Sequence, residues 1–117
     1  MHEITMRKSK RTGWEAKTRL DFEGNQKMTV TTSKDTGGVS TYASVSLHRD
    51  GFTTHAICGD YSKRILHAPN RATEKTIRQQ HERALENIAA VLSDAREHYA
   101  KGAKGAQYFE NLKAASA

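Results

Sequence analysis

The chain has 117 residues, among them one Trp, three Phe, four Tyr and a single Cys, and carries a formal net charge of +6 at pH 7. A length of this order fits one domain, which buries roughly 65% of the unfolded chain's surface and so builds one modest core without metal or disulfide staples. The lone Cys58 excludes an internal disulfide, and no apolar run approaches the ~18 residues of a membrane span or forms a signal-peptide core, so a cytoplasmic, reducing compartment and no membrane partner are expected.

The charge is unevenly placed. Residues 1–34 hold eight Lys/Arg against four Asp/Glu, whereas residues 72–117 hold seven against six, with a further local surplus at Lys63, Arg64 and Arg71. The run Arg7, Lys8, Lys10 and Arg11, interrupted only by Ser9, precedes the first expected strand and contains few core residues. Residues 1–13 therefore read as a basic N-terminal arm, ahead of a single α+β domain over 14–117.

Residues 14–23 alternate strictly, with Trp14, Ala16, Thr18, Leu20 and Phe22 on one side and Glu15, Lys17, Arg19, Asp21 and Glu23 on the other, which is the period of a half-buried strand. Residues 27–34 repeat the pattern with Met28, Val30 and Thr32 inward. A three-residue loop at 24–26 sets Phe22 opposite Met28 and Leu20 opposite Val30, keeping the apolar faces together. The glycines of the Asp35–Gly38 turn lead into a strand over 39–49, with Val30 expected opposite Ala43 and Met28 opposite Val45. Asp50-Gly51 is the strongest hairpin signal in the chain and predicts a strand over 52–58, with Leu47 facing Thr54 and Val45 facing Ala56. Residues 60–67 either continue this strand past a kink at Gly59 or form a short fifth strand.

Pro69 ends extended structure, and Asn70 or Thr73 can cap a helix. From there Ile77, His81, Leu85, Ile88, Leu92, Ala95 and Tyr99 recur at three- and four-residue steps, predicting one helix over about 72–100. At ~1.5 Å per residue such a helix is ~43 Å long and overhangs ten-residue strands of ~33 Å. Val91, Leu92, Ala95 and Tyr99 then need cover from a short terminal helix at about 105–115, carrying Tyr108, Phe109 and Leu112, or from a second subunit, so a homodimer is expected as one solution. The fold class predicted is α+β: a four-stranded antiparallel β-meander packed on one long C-terminal helix, with a short terminal helix.

Catalytic signatures are missing from the sequence: it has no Walker-type loop, GxGxxG after a strand, HExxH, GxSxG or Cys pair at metal spacing. A non-enzymatic protein without cofactor or metal is expected. His48 and His55 fall diagonally on one outward face, but a two-histidine site needs further ligands. His81 reads as a packed core histidine, Cys58 as a buried inert thiol, and Asp94 with His98 as a local pair.

Candidate contacts to nucleic acid or another acidic partner are Arg7, Lys8, Lys10 and Arg11 in the arm, Lys17, Arg19, Lys27 and Tyr42 on the outward face of the sheet, and Lys63 and Arg64. Cations and hydroxyls suit a phosphate backbone. Tyr42 alone offers a stacking platform there, and Glu15, Asp21 and Glu23 share the face, which argues against readout of base sequence.

The order of four meander strands and then a long helix resembles, in topology over about residues 14–100, the repeat unit of the Whirly and PUR-repeat families. That resemblance implies a curved sheet that binds single-stranded nucleic acid, and it carries over no residues. In its small size and lack of catalytic motifs the chain is also similar to proteins of phages and mobile elements, including anti-CRISPR inhibitors of host defence. Two expectations result: a basic protein that engages nucleic acid or a ribonucleoprotein by electrostatic contact, or a small inhibitor that binds an acidic or nucleic-acid-binding surface of a host protein complex.

Overall fold

In the computed structural model the chain is an antiparallel sheet with two consecutive helices on one face. Residues 2–22, 26–49, 52–55 and 61–101 are described, with the backbone alone described at 46–49, 52–55 and 99–101. The strands are β1 (Thr5–Ser9), β2 (Gly13–Asp21), β3 (Gln26–Asp35), β4 (Gly38–Arg49), β5 (Phe52–His55) and β6 (Ser62–Ala68), and the helices are α1 (Glu74–Glu86) and α2 (Ile88–Lys101). The sheet order is β1-β2-β3-β4-β5, with β6 also paired to β4.

The stretch expected as an arm contains β1. Met6 pairs with Ala16 and Lys8 with Trp14, so the alternation of β2 extends across one more strand, and Ile4, Met6 and Trp14 pack on a core of Ala16, Val39 and Ile77. Gly13, at φ +78°, turns the chain back with a conformation that a side chain disfavours.

The β3–β4 register is the expected one, with Val30 opposite Ala43 and Met28 opposite Val45. The β2–β3 register differs: Leu20 faces Met28 and Thr18 faces Val30, and the ladder closes where the Phe22 amide donates to the Gln26 carbonyl at 3.0 Å. The displacement is two residues. With a period of two it leaves every inward side chain inward, so hydrophobic patterning by itself could not choose between the two registers. Gln26, expected in the loop, opens β3 and is buried.

Across the Asp50-Gly51 hairpin, Leu47 faces Thr54 and His48 faces Thr53, as the sequence indicates. The turn itself, Ala56 and Cys58 lie outside the described residues, as do the two His side chains. β6 then takes up the edge of β4 that β5 leaves, from Ser44 opposite Ser62 to Val39 opposite Ala68. Residues 62–68 thus continue the last strand along the same edge rather than extending the sheet sideways. An irregularity between Thr41 and Tyr42 places both Arg64 and Leu66 in the ladder and leaves Ile65 as the extra residue.

The single long helix expected from the periodicity is divided at Asn87. Thr73 is the N-cap, accepting from the Thr76 amide at 3.2 Å, while the Thr76 hydroxyl accepts from the Thr73 amide at 2.9 Å. At Asn87 (φ −105°, ψ 15°) the amide donates to Ala84 and Leu85, and its carbonyl accepts from Ala90 and Val91, so α2 starts one residue after α1 stops. Asparagine competes for backbone hydrogen bonds and is a poor helix interior residue.

The apolar stripe runs on across this break. Met28, Val30, Ala43, Val45, Tyr61, Ile88 and Ala95 form the larger core cluster, with Leu20, Phe22, Ile65, Leu85, Val91 and Leu92 packed against it. Of the residues expected to need cover from the tail or a second copy, Ala95 joins this cluster and Val91 and Leu92 pack against it, while the Tyr99 side chain lies outside the described residues. β4 has 12 residues and spans ~40 Å, against the ~33 Å assumed for ten-residue strands. The segment 105–115, with Tyr108, Phe109 and Leu112, lies outside the described residues.

A polar band separates the two apolar clusters. His81, fully buried on α1, places Nε2 2.7 Å from Thr18 Oγ1 and Nδ1 2.8 Å from Thr32 Oγ1. Thr32 lies 2.7 Å from Thr41 Oγ1, which takes a hydrogen bond from Gln80 Nε2 at 3.2 Å. Thr18 donates its only hydroxyl proton to the Glu3 carbonyl at 2.8 Å, so it must accept from His81 Nε2–H. Nδ1 then accepts from Thr32, Thr32 accepts from Thr41, and Thr41 accepts from Gln80. One direction of donation runs through the whole band, and burial pushes the imidazole down to a pKa of about 4.

Candidate nucleic-acid interface

α1 and α2 cover one face of the sheet, and the other is open. Antiparallel pairing sets side chains of that open face in rows across the strands. One row runs Thr5, Lys17, Thr31, Tyr42, Arg64; the next runs Arg19, Thr29, Ser44, Ser62; a third runs Arg7, Glu15, Ser33, Ser40, His67. At ~4.8 Å between strands, Lys17 and Arg64 bracket Thr31 and Tyr42 over about 14 Å. Tyr42 is 41% exposed and is the large hydrophobic residue that the described part of the molecule leaves most open.

Among the described residues, the acidic side chains on this face are engaged locally, and Glu23 lies outside them. Glu15 lies 3.5 Å from Lys17 on the same strand, and Asp21 pairs with Lys27 across β2 and β3. Asp35 accepts from the Thr36 amide at 2.8 Å and from the Tyr42 hydroxyl at 3.1 Å. Hydrogen bonds from Ser40, Thr36 and Tyr42 hold its carboxyl below the usual carboxylate range. Arg7, Arg19 and Arg64 form no ion pair among the described residues. Ser40, a buried member of the third row, places Oγ 2.7 Å from Nδ1 of its neighbour His67.

The ten candidate residues divide three ways. Arg7, Lys17, Arg19, Lys27, Tyr42 and Arg64 share the open face. Lys10 and Arg11 lie in the β1–β2 turn at the end of the sheet. Lys8 and Lys63 are on the helix side and do not join the others. Lys8 is paired with Trp14 and sits 5.7 Å over its ring. Lys63 is paired with Ala43 and reaches Asp94 on α2 at 3.3 Å. Asp94 also accepts from the Tyr61 hydroxyl at 2.8 Å, and these two hydrogen bonds, Tyr61's the stronger, hold its carboxyl below the usual range. Asp94, expected as a local partner of His98, thus ties α2 to the start of β6.

Lys63 lies on the helix side because the parity of the last strand changes between β5 and β6: His55 faces Ser46, whereas Ser62 and not Lys63 faces Ser44. Counting by twos from His55 puts Lys63 outward. No count along the sequence reveals that reversal.

Among the described residues no three His, Cys, Asp or Glu side chains gather as a metal site, and no helix is long and apolar enough to cross a membrane. Comparison with known proteins returns no matching family model, no matching curated protein and no matching solved structure.

Proposed function

We propose that this chain is a non-enzymatic binding protein that holds single-stranded nucleic acid, free or within a ribonucleoprotein, on the open face of its sheet. The row Lys17, Thr31, Tyr42, Arg64 carries this reading: two cations flank a hydroxyl and an exposed aromatic ring on four adjacent strands. Phosphates are held by the cations and hydroxyls, and one base stacks on Tyr42. With only one such ring among the described residues, binding is tolerant of sequence.

Fluorescence anisotropy with labelled oligothymidylate over a range of salt tests this. Engagement of about four phosphates gives log K a slope near −3 against log salt. Lys17→Ala with Arg64→Ala flattens that slope, and Tyr42→Ala weakens binding by about 1–3 kcal/mol, roughly 5- to 150-fold. Salt-insensitive binding, or affinity unchanged in both variants, overturns the reading.

The scarcity of aromatic rings on the open face favours a second reading, in which the same cations dock on an acidic protein surface, as in a mobile-element inhibitor of a host complex. In that case oligothymidylate does not bind.

A further inference from the structure

The end of the sheet beyond Tyr42 holds a groove of about 440 Å³ whose walls include Arg11, Lys34, Asp35, Gly38, Asn70 and Arg71. These residues come from three separated segments: the β1–β2 turn, the β3–β4 hairpin and the link from β6 to α1. Local structure brings them together. Gly13 closes the first turn, and Gly38, at φ +152°, lets the β6–α1 link lie against the hairpin. A Cβ at Gly38 would collide with the Ala68 carbonyl oxygen and stand 2.8 Å from Pro69 Cα. Pro69 ends β6 there, and the chain passes through Arg71 before the Thr73 cap.

Three cations against one carboxylate face this groove. The carboxylate, Asp35, has both oxygens engaged, by the Thr36 amide and the Tyr42 hydroxyl. Arg11, Lys34 and Arg71 make no ion pair among the described residues, and all three are exposed. Asp35 also joins the groove to the open face, because the phenol it accepts from is the ring of the central row. Tyr42 and Gly38 are four residues apart on β4, about 13 Å. Lys34 pairs with buried Val39 and so lies on the helix side of β3, while Asp35 lies on the open face; a strand lying over Tyr42 reaches these cations by passing over the hairpin end, and its phosphates are the groups that match them in charge.

We propose that the groove bounded by Arg11, Lys34 and Arg71 is a second phosphate-binding site, which takes the backbone of the same single strand where it runs off the hairpin end of the sheet. This rests on the open-face reading and extends it, giving the strand a path along β4 and over the hairpin end in place of a single patch.

The test uses oligothymidylates of about 4 and about 16 nucleotides, the range of lengths that single-strand-binding folds occupy. Against the full-length protein, Lys34→Gln with Arg71→Gln should lower the magnitude of the salt slope for the long oligonucleotide by about 1.4, two contacts at ~0.7 each, and leave the short one unchanged. Thermal melts should match wild type, since neither side chain is buried or paired. Long-oligonucleotide binding that depends on Lys17 and Arg64 but not on Lys34 and Arg71 overturns the groove and keeps the open face. Dependence on Lys34 and Arg71 alone keeps the groove as a phosphate site and overturns the open face. Failure of both lengths to bind overturns both.

Discussion

His81 Nε2 on α1 stands 2.7 Å from Thr18 Oγ1 on β2, and because that hydroxyl already donates to the Glu3 carbonyl, the imidazole is the donor. The ring is therefore held neutral, with its other nitrogen accepting from Thr32. A proton added at Nδ1 would displace that hydrogen bond and place a charge in the core.

The consequence is a pH-dependent stability. The native imidazole has a pKa of about 4, against 6.5 ordinarily. The unfolded chain takes up its proton below pH 6.5, and the native chain only near 4. Stability is thus greatest above pH 6.5 and falls as pH drops from 6.5 to 4, by about 3 kcal/mol. Urea unfolding at a series of pH values measures it, and His81→Phe should flatten the curve in that window. A wild-type protein equally stable at pH 7 and pH 4.5 would rule out the buried neutral ring.

Gly37 and Gly38 should respond differently to alanine. Gly37 has φ +78° with nothing near its missing Cβ, so Gly37→Ala carries only the left-handed backbone cost, about 1–2 kcal/mol. Gly38→Ala adds a collision with the Ala68 and Pro69 backbone, and should cost at least about 2 kcal/mol more. Comparison of the two by denaturant unfolding checks the close approach that shapes the end groove.

Cations on opposite faces should separate in binding assays. Arg7→Ala and Arg64→Ala should each reduce the salt slope by about 0.7, whereas Lys8→Ala and Lys63→Ala should leave it unchanged. Lys63→Ala should instead lower the melting temperature slightly, through loss of the link to Asp94. Equal effects of all four would mean that charge acts without regard to face.

The helix cap offers a stability control off the open face. Thr73 bonds reciprocally with Thr76, so Thr73→Ala should destabilise the fold by about 1 kcal/mol. Affinity for the oligothymidylate of about four nucleotides, which does not reach the end groove, should be unaffected.

The sequence by itself determined the class of fold, the inward faces of β2, β3 and β4, the β3–β4 and β4–β5 registers, a helix cap at Asn70 or Thr73, and the stripe of α1 and α2. Each depends on a period or a turn residue that acts over a few positions. Tertiary structure decided what depends on long-range pairing. β1 formed from the basic run because β2 offered an edge to Met6 and Lys8, and the β2–β3 register moved by two residues because a period-two pattern is blind to that shift. Lys63 turned toward Asp94 because strand parity changes between His55 and Ser62. Arg11, Lys34 and Arg71 came together because three chain reversals share one end of the sheet and Gly38 has no side chain to hold the β6–α1 link away. Side-chain chemistry is written residue by residue, whereas the rows and the groove exist only once distant segments pair.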